Sequence, residues 1–471
     1  MNPLYKQSAT DVVAMLRSGE LSPAEALESA IMRIEEVDSK INALPIRCFE
    51  RALDVAHKIN MRKHRANPRS LCGLPIAVKD YNDVAGVRTT YGSPIYKNNI
   101  ALCSDVTIQM LEENGANPIA KSNVPEWAGG HTFNPIYGLT RNPWNLSRSA
   151  GGSSGGSAAA LASGQIWLAT GNDLGGSLRT PAAFNAIVGL RPSPGVVPRG
   201  QSYQTFDTLW VEGPMGRSVA DVALMLDAQC GQRIEDPLSS AHNCRSFQRA
   251  VQNPLRPHRI AFSADLGIVP VCKTVRSIVG AAISQFSQLG IDISDEIPDF
   301  SGILDSFHTL RGVLLATLKG DLLKKYQGSI SSDIVKNIEA GFSVTAEQLV
   351  EAEKKRWALS TQMSNFFVHH DFLICPTTSV MPFESNQPFV KEIDGVPCKT
   401  YIDWFAITFA LTMTGCPVIS IPCGFTEDNL PVGLQILGQP HREDELLRFA
   451  KFLEDCLGIT RRLPIDPKHN I

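Results

Sequence analysis

Residues Gly151 to Arg179 read GGSSGGSAAALASGQIWLATGNDLGGSLR. Eight glycines fall between Gly151 and Gly176, about one residue in three, against about one in thirteen for the whole chain. A flexible Gly/Ser linker would have that composition. It would not carry the apolar run Ile166-Trp167-Leu168-Ala169, which fits a buried strand, or an Ala-rich helical turn between the two glycine clusters. A phosphate loop would need Gly-Lys-Ser/Thr after the glycines, and none follows. The segment is therefore read as structure: a strand, a glycine turn at Gly175-Gly176, and a helix-like stretch beginning at Ser177. That alternation places the chain in the α/β class.

The same order continues outward. Ser22-Pro23-Ala24-Glu25 is a capping box with proline in the first helical turn. Ala26, Ile31, Ile34, Val37 and Ile41 follow at helical intervals. Leu74 to Val78, Pro118 to Ala120, Arg259 to Phe262, Asp371 to Pro376 and Val432 to Gly438 read as buried strands. Asp105 to Asn114, Val275 to Leu289 and Glu443 to Leu457 read as helices. The basic stretch MRKHRANPRS, from Met61, reads as a solvated loop. Residues 123–149, rich in Gly, Pro and Asn, read as a long functional loop. A helical N-terminal lead-in covers 1–65, and a mostly helical, variable insert covers about 235–370. No linker separates them, so one domain is expected over 1–471, with a substantial sheet covered by helices on both faces.

The 471 residues carry a net charge of −3, which argues against a protein whose main work is gripping phosphate backbones. The 11 cysteines form no CxxC pair and no zinc-spaced cluster. Cys72, Cys375, Cys416 and Cys423 lie in apolar runs and read as core, which suits a reducing compartment. No signal peptide opens the chain. The uncharged run Trp404 to Thr426 is long enough to span a bilayer. It is broken by Gly415-Cys416-Pro417, so a buried helix (about 401–413), a turn and a buried strand (418–421) are expected. A cytoplasmic protein without membrane contact follows.

Two serines stand out in the glycine clusters. Gly151-Gly152-Ser153-Ser154-Gly155 matches the G-x-S-x-G elbow formally, but Pro143 to Ser149 does not read as the strand that should precede it. Ser177, at a helix start after two glycines, has backbone N–H groups placed for an oxyanion and could be an acyl-accepting nucleophile. Such a serine needs a base. His131, in the loop Gly129-Gly130-His131, reads as a bland loop histidine. Lys79, at the end of the strand from Gly73, would be partly desolvated and so a better base. From spacing alone, pairing with Asp80 or another carboxylate is the better reading of that lysine.

Taken together, these residues closely resemble the amidase signature family. The resemblance lies in Gly73 to Asp80, Thr140 to Trp144, Gly151 to Ser157, Gly171 to Pro181, Val188 to Ser193, Gly213-Pro214-Met215, Thr414 to Pro417 and Leu430 to Gln435. It implies the amidase signature fold, with a large mixed β-sheet. It also implies a Ser–cisSer–Lys triad: Lys79 as base, Ser153 as the bridging serine after a cis peptide, and Ser177 as nucleophile. The oxyanion hole would come from the N–H groups of Leu174, Gly175, Gly176 and Ser177. Asp173 and Arg179 would orient the loop. Substrate contacts would come from Ala128, Gly129, Gly130 and Ser153. Many members have Thr or Ser at Asn172 and Thr or Ile at Leu174, so pocket shape near the carbonyl is expected to differ here.

The activity implied is hydrolysis of a linear carboxamide to carboxylate and amine or ammonia through a seryl acyl-enzyme, with no metal and no cofactor. The partner expected is a small-molecule amide, with no nucleic acid bound directly and a homodimer as the candidate assembly. The alternative is the A subunit of a glutamyl/aspartyl-tRNA amidotransferase, releasing ammonia from glutamine. The Tyr/Ser/Ala-rich segment usual in that branch is missing from residues 306–330. A noncatalytic scaffold is disfavoured because all three triad positions are filled.

Overall fold

The computed structural model describes residues 3–200, 204–241, 246–326 and 328–468. Its centre is one mixed sheet of eleven strands. In chain order these are β1 (Ile46–Arg47), β2 (Pro75–Lys79), β3 (Asn117–Ser122), β4 (Leu168–Asp173), β5 (Val188–Arg191), β6 (Val211–Gly216), β7 (Arg259–Phe262), β8 (Asp292–Ser294), β9 (Phe372–Pro376), β10 (Val418–Phe425) and β11 (Pro431–Leu437). Across the sheet they run β1-β3-β2-β4-β6-β5-β10-β11-β9-β7-β8. Pairing is parallel in β3-β2-β4 and β9-β7-β8, and antiparallel from β4 through to β9 and between β1 and β3.

Every residue of β2, β4 and β11 is buried. Successive side chains point to opposite faces, so both faces are covered. The core divides along the sheet. One apolar cluster joins β2, β3 and β4 to the N-terminal helices and to the helix Gly155–Ala162. The other joins β5, β7, β9, β10 and β11 to the helices Lys273–Gln288, Ile303–Lys325 and Glu443–Leu457.

The capping box forms as expected: Glu25 N–H donates to Ser22 Oγ, and the Glu25 carboxylate accepts from Ser22 N–H. Cys72, Cys375, Cys416 and Cys423 are all buried. The uncharged run folds as a helix, Ala406–Thr412, followed by β10. Among the described residues no helix is long and apolar enough to cross a membrane.

Three readings change. The basic stretch from Met61 is not a loop: Met61–Ala66 is a short helix whose first turn is capped by Asn60 Oδ1 on Lys63 N–H. Residues Asn145–Ser149, which do not read as a strand in sequence, do form one. It pairs with Arg141–Asn142 in a hairpin outside the large sheet and is bridged to Glu384 through Arg148, with Ser149 N–H donating to Phe383 O and Ser385 N–H to Ser147 O at 2.8 Å each. The 235–370 stretch carries the expected long helices, and it also supplies the last two strands of the sheet, β7 and the edge strand β8.

Candidate active site

The parallel strands β2 and β4 end on the same side of the sheet, so Lys79, the last residue of β2, lies against Thr170 and Asn172 near the end of β4. In α/β sheets this carboxyl edge is where sites form. The antiparallel β6 begins at the same edge, placing Glu212 directly across from Asn172.

Lys79 is fully buried. Its Nζ donates to Ser153 Oγ at 2.7 Å, to Asn172 Oδ1 at 2.6 Å and, less closely, to Asn172 O at 3.4 Å. The Tyr81 ring centroid lies 4.8 Å from Nζ. Among the described residues no carboxylate touches it, which overturns the strand-end pairing with Asp80. Asp80 instead binds Lys121 Nζ at 3.0 Å, and Thr90 Oγ1 donates to it at 2.6 Å. Burial pulls the Lys79 ammonium well below the ordinary lysine range, more than the charges of Glu212 and Asp173 push it back. An amine in that state can accept a proton from a hydroxyl at contact distance.

Ser153 follows a cis Gly152–Ser153 peptide. The turn is set by its neighbours: a Cβ on Gly152 would lie 2.2 Å from Gly130 O, so only glycine fits there. Thr132 holds the same turn, donating from N–H and Oγ1 to Gly151 O at 2.9 and 2.8 Å. Ser154 N–H donates to Ser177 O at 3.3 Å, stitching the two serine turns together. Ser177 is partly exposed, in contrast to Lys79 and Ser153. Its hydroxyl makes no hydrogen bond to the described chain, and the helix Arg179–Asn185 starts two residues later.

The turn between β4 and that helix is clamped by Asp173. Its carboxylate accepts from Gly176 N–H at 2.8 Å and Leu178 N–H at 3.2 Å, and from Arg179 at 3.0 and 3.1 Å. Arg191 adds a contact at 3.3 Å. Burial pushes the Asp173 carboxyl up, but the two guanidinium groups outweigh it and hold it at about 2. Gly176 has φ +124, and a Cβ there would lie 2.2 Å from Thr408 Oγ1. One expected oxyanion donor is thus committed elsewhere, since Gly176 N–H already serves Asp173. The N–H groups of Leu174, Gly175 and Ser177 have no acceptor among the described residues.

Of the expected substrate contacts, Gly129 and Gly130 sit beside this turn, with Gly130 O against Gly152 and Gly129 near Ile334. The backbone of Ala128 lies in a short turn (Glu126–Ala128), and its side chain lies outside the described residues. His131 is buried with its ring edge-on to Phe383, and burial lowers it to about 4, so it is neutral. Among the described residues no three His, Cys, Asp or Glu side chains are grouped to hold a metal.

Three participants escape a reading of the sequence. Asn172 stands out there only for pocket shape, yet it is the closest partner of Lys79. Thr408 Oγ1 donates to Gly175 O at 2.8 Å from a helix 233 residues away, which no local pattern could show. Glu212 carries one signal, as a lone carboxylate in an apolar strand ahead of Gly213-Pro214-Met215.

A family model described as Amidase matches residues 25–447. An acylamidase of Rhodococcus erythropolis is 33% identical over 98% of each chain. The A subunit of the glutamyl-tRNA(Gln) amidotransferase of Sulfurihydrogenibium sp. is 30% identical, over 98% of this chain and 99% of that one. The crystal structure of a bacterial aryl acylamidase of the amidase signature enzymes superimposes with a TM-score of 0.90 at 26% identity, covering 98% of this chain and all of that one.

Proposed function

The chain belongs to the amidase signature family, whose members hydrolyse amides, and from that premise we propose that it cleaves a carboxamide through an acyl-enzyme on Ser177. The observation that carries this reading is the 2.7 Å contact between Ser153 Oγ and the Nζ of a fully buried Lys79 that touches no carboxylate among the described residues. A buried ammonium without a counter-ion favours its neutral form, and the neutral amine is a base.

In this reading Lys79 takes a proton from Ser153 while Ser153 takes one from Ser177, and Ser177 Oγ bonds to the amide carbonyl carbon. The oxyanion is held by the N–H groups of Leu174, Gly175 and Ser177. The C–N bond breaks as Ser153 delivers a proton to the leaving nitrogen and recovers one from Lys79. Water, activated along the same path, then releases the carboxylate. Asp173 and Arg179 keep the loop in place, and the loop from Ala128 to Gly130 closes one side of the pocket. On the same reading residues 1–471 form one domain, since β7 and β8 from the variable stretch are bonded into the sheet that carries β2 and β4.

The test is replacement of Ser177 and of Lys79 by alanine. Each should abolish hydrolysis of anilide and aliphatic amide substrates in a folded protein. A fluorophosphonate probe should modify Ser177, located by peptide mapping. Full activity in either variant, or labelling elsewhere, would sink the assignment.

A second reading, ammonia release from glutamine within a tRNA-dependent amidotransferase complex, draws support from the similar identity of that relative. Purification from its native cell separates the two: co-purifying partner chains and glutamine turnover favour the second, activity of the isolated chain on anilides the first.

A further inference from the structure

Glu212 stands beside this machinery, acting on Lys79 through its charge but in contact with none of the proposed triad side chains. It is 5% exposed. Its Oε1 accepts from Trp210 Nε1 at 3.0 Å, and Oε2 has no hydrogen-bond partner among the described residues. Two neighbours are equally unfulfilled: Asn82 Oδ1 and Asn172 Nδ2. Buried polar groups left in this state are costly and mark places where something else binds.

A cavity of about 210 Å3 opens here, framed by Tyr81, Asn82, Trp210, Glu212, Leu314 and Leu318. It is too small for a whole substrate and large enough for a short arm of one. It adjoins the reaction centre: Tyr81, one of its walls, lies over Lys79 Nζ, and Glu212 is the cross-strand partner of Asn172, which holds that Nζ. The charge of the lining is acidic. Asp105, Asp207 and Glu212 stand against Arg199, which is itself paired with Asp207. Lys319, on the same helix as Leu314 and Leu318, turns instead toward the Tyr91 and Trp127 rings. The rings of Tyr81 and Trp210, 6.3 Å apart, supply the π-faces that suit a cation.

We propose that this cavity is a subsite for a protonated amine on the substrate, which donates to Glu212 Oε2 and Asn82 Oδ1 between Tyr81 and Trp210. The substrate class is then an amide with a short aminoalkyl arm. The assignment of the arm to a substrate rests on the Ser177 reading; the amine site itself does not.

The test compares anilides of ω-amino acids of three to five carbons with their methyl-terminated isosteres. The wild-type protein should favour the amino series in kcat/KM by at least about tenfold. Glu212→Gln should bring that ratio close to one. Because the ratio is taken within one variant, any shared effect on Lys79 cancels. Asn82→Leu should lower the ratio as well, which keeps the test open if Glu212→Gln does not fold. Calorimetry on the wild-type protein with n-butylammonium and n-butanol reads the site without turnover. If no anilide is cleaved but n-butylammonium alone binds, the hydrolase reading fails and the amine site stands. An unchanged ratio in Glu212→Gln, or equal binding of the alcohol, or no binding of either, overturns the proposal.

Discussion

Replacing Arg179 by Met should destabilise the protein by about 3–5 kcal/mol, the usual effect of removing one partner from a buried ion pair. Arg179 is wholly buried and makes five side-chain hydrogen bonds: two to Asp173, and one each to Thr408 O, Gln435 Oε1 and Thr412 Oγ1. Methionine fills much of the volume and satisfies none of these acceptors. Arg191 and the N–H groups of Gly176 and Leu178 still face Asp173, which argues for the lower part of the range. The stranded Thr408 and Gln435 oxygens, at roughly 1–3 kcal/mol each and not additive, argue for the upper part.

The pH dependence follows from Asp173. Its folded value of about 2 lies below the unfolded value of about 3.9, so it contributes stability that is present above pH ~4 and lost as pH falls toward 2. Without Arg179, burial loses its strongest opponent and the folded value rises. The gap between variant and wild type is then widest at neutral pH and narrows as pH falls below that raised value. Urea unfolding followed by circular dichroism at pH 7 and pH 4.5 measures it. A midpoint shift at pH 7 worth under about 1 kcal/mol, or a gap that widens on acidification, would refute the clamp described here.

Three other outcomes are expected. If neutral Lys79 is the base, as proposed, kcat/KM should rise with pH and level off well below 10.4, the ordinary lysine value, since burial lowers it; a rise still climbing above pH 10 would contradict this. Asn172→Leu removes the 2.6 Å acceptor that aims Lys79 Nζ at Ser153, and should lower kcat by about ten- to a hundredfold with little change in KM, read by steady-state kinetics on the folded variant. Gly176→Ala puts a Cβ 2.2 Å from Thr408 Oγ1 at φ +124, and should abolish fluorophosphonate labelling of Ser177 while thermal unfolding shows a loss of roughly 1–3 kcal/mol.

The strands and long helices were legible because their cause is local. Pro75 to Val78 and Leu168 to Gly171 are continuous apolar or small-residue runs, each a few residues after a glycine, and such runs become buried strands wherever the sheet lies. The Met61–Ala66 helix was not legible, since a six-residue stretch dominated by basic side chains carries no apolar face and a single Asn60 cap decides the matter. The Asn145–Ser149 strand is hidden for a related reason: it lies outside the large sheet, pairing with Arg141–Asn142 and bridging to Glu384, so no two-sided buried pattern is imposed on it.

The site divides the same way. Lys79, Ser153 and Ser177 are legible in the sequence through the family resemblance carried by Gly73 to Asp80, Gly151 to Ser157 and Gly171 to Pro181; spacing alone favours pairing Lys79 with a carboxylate. Their union depends on sheet order: 88 residues separate the end of β2 from the start of β4, and the two become neighbours only by parallel pairing. Asn172 against Lys79, Thr408 over Gly176 and Glu212 facing an unfilled cavity depend on that pairing too. The sequence by itself determined which residues are candidates for chemistry, through motifs whose glycines and apolar strand meet local backbone needs. Which of them meet, and that Lys79 is buried with no carboxylate in contact among the described residues, was decided by tertiary structure, because burial and contact are properties of the packed chain.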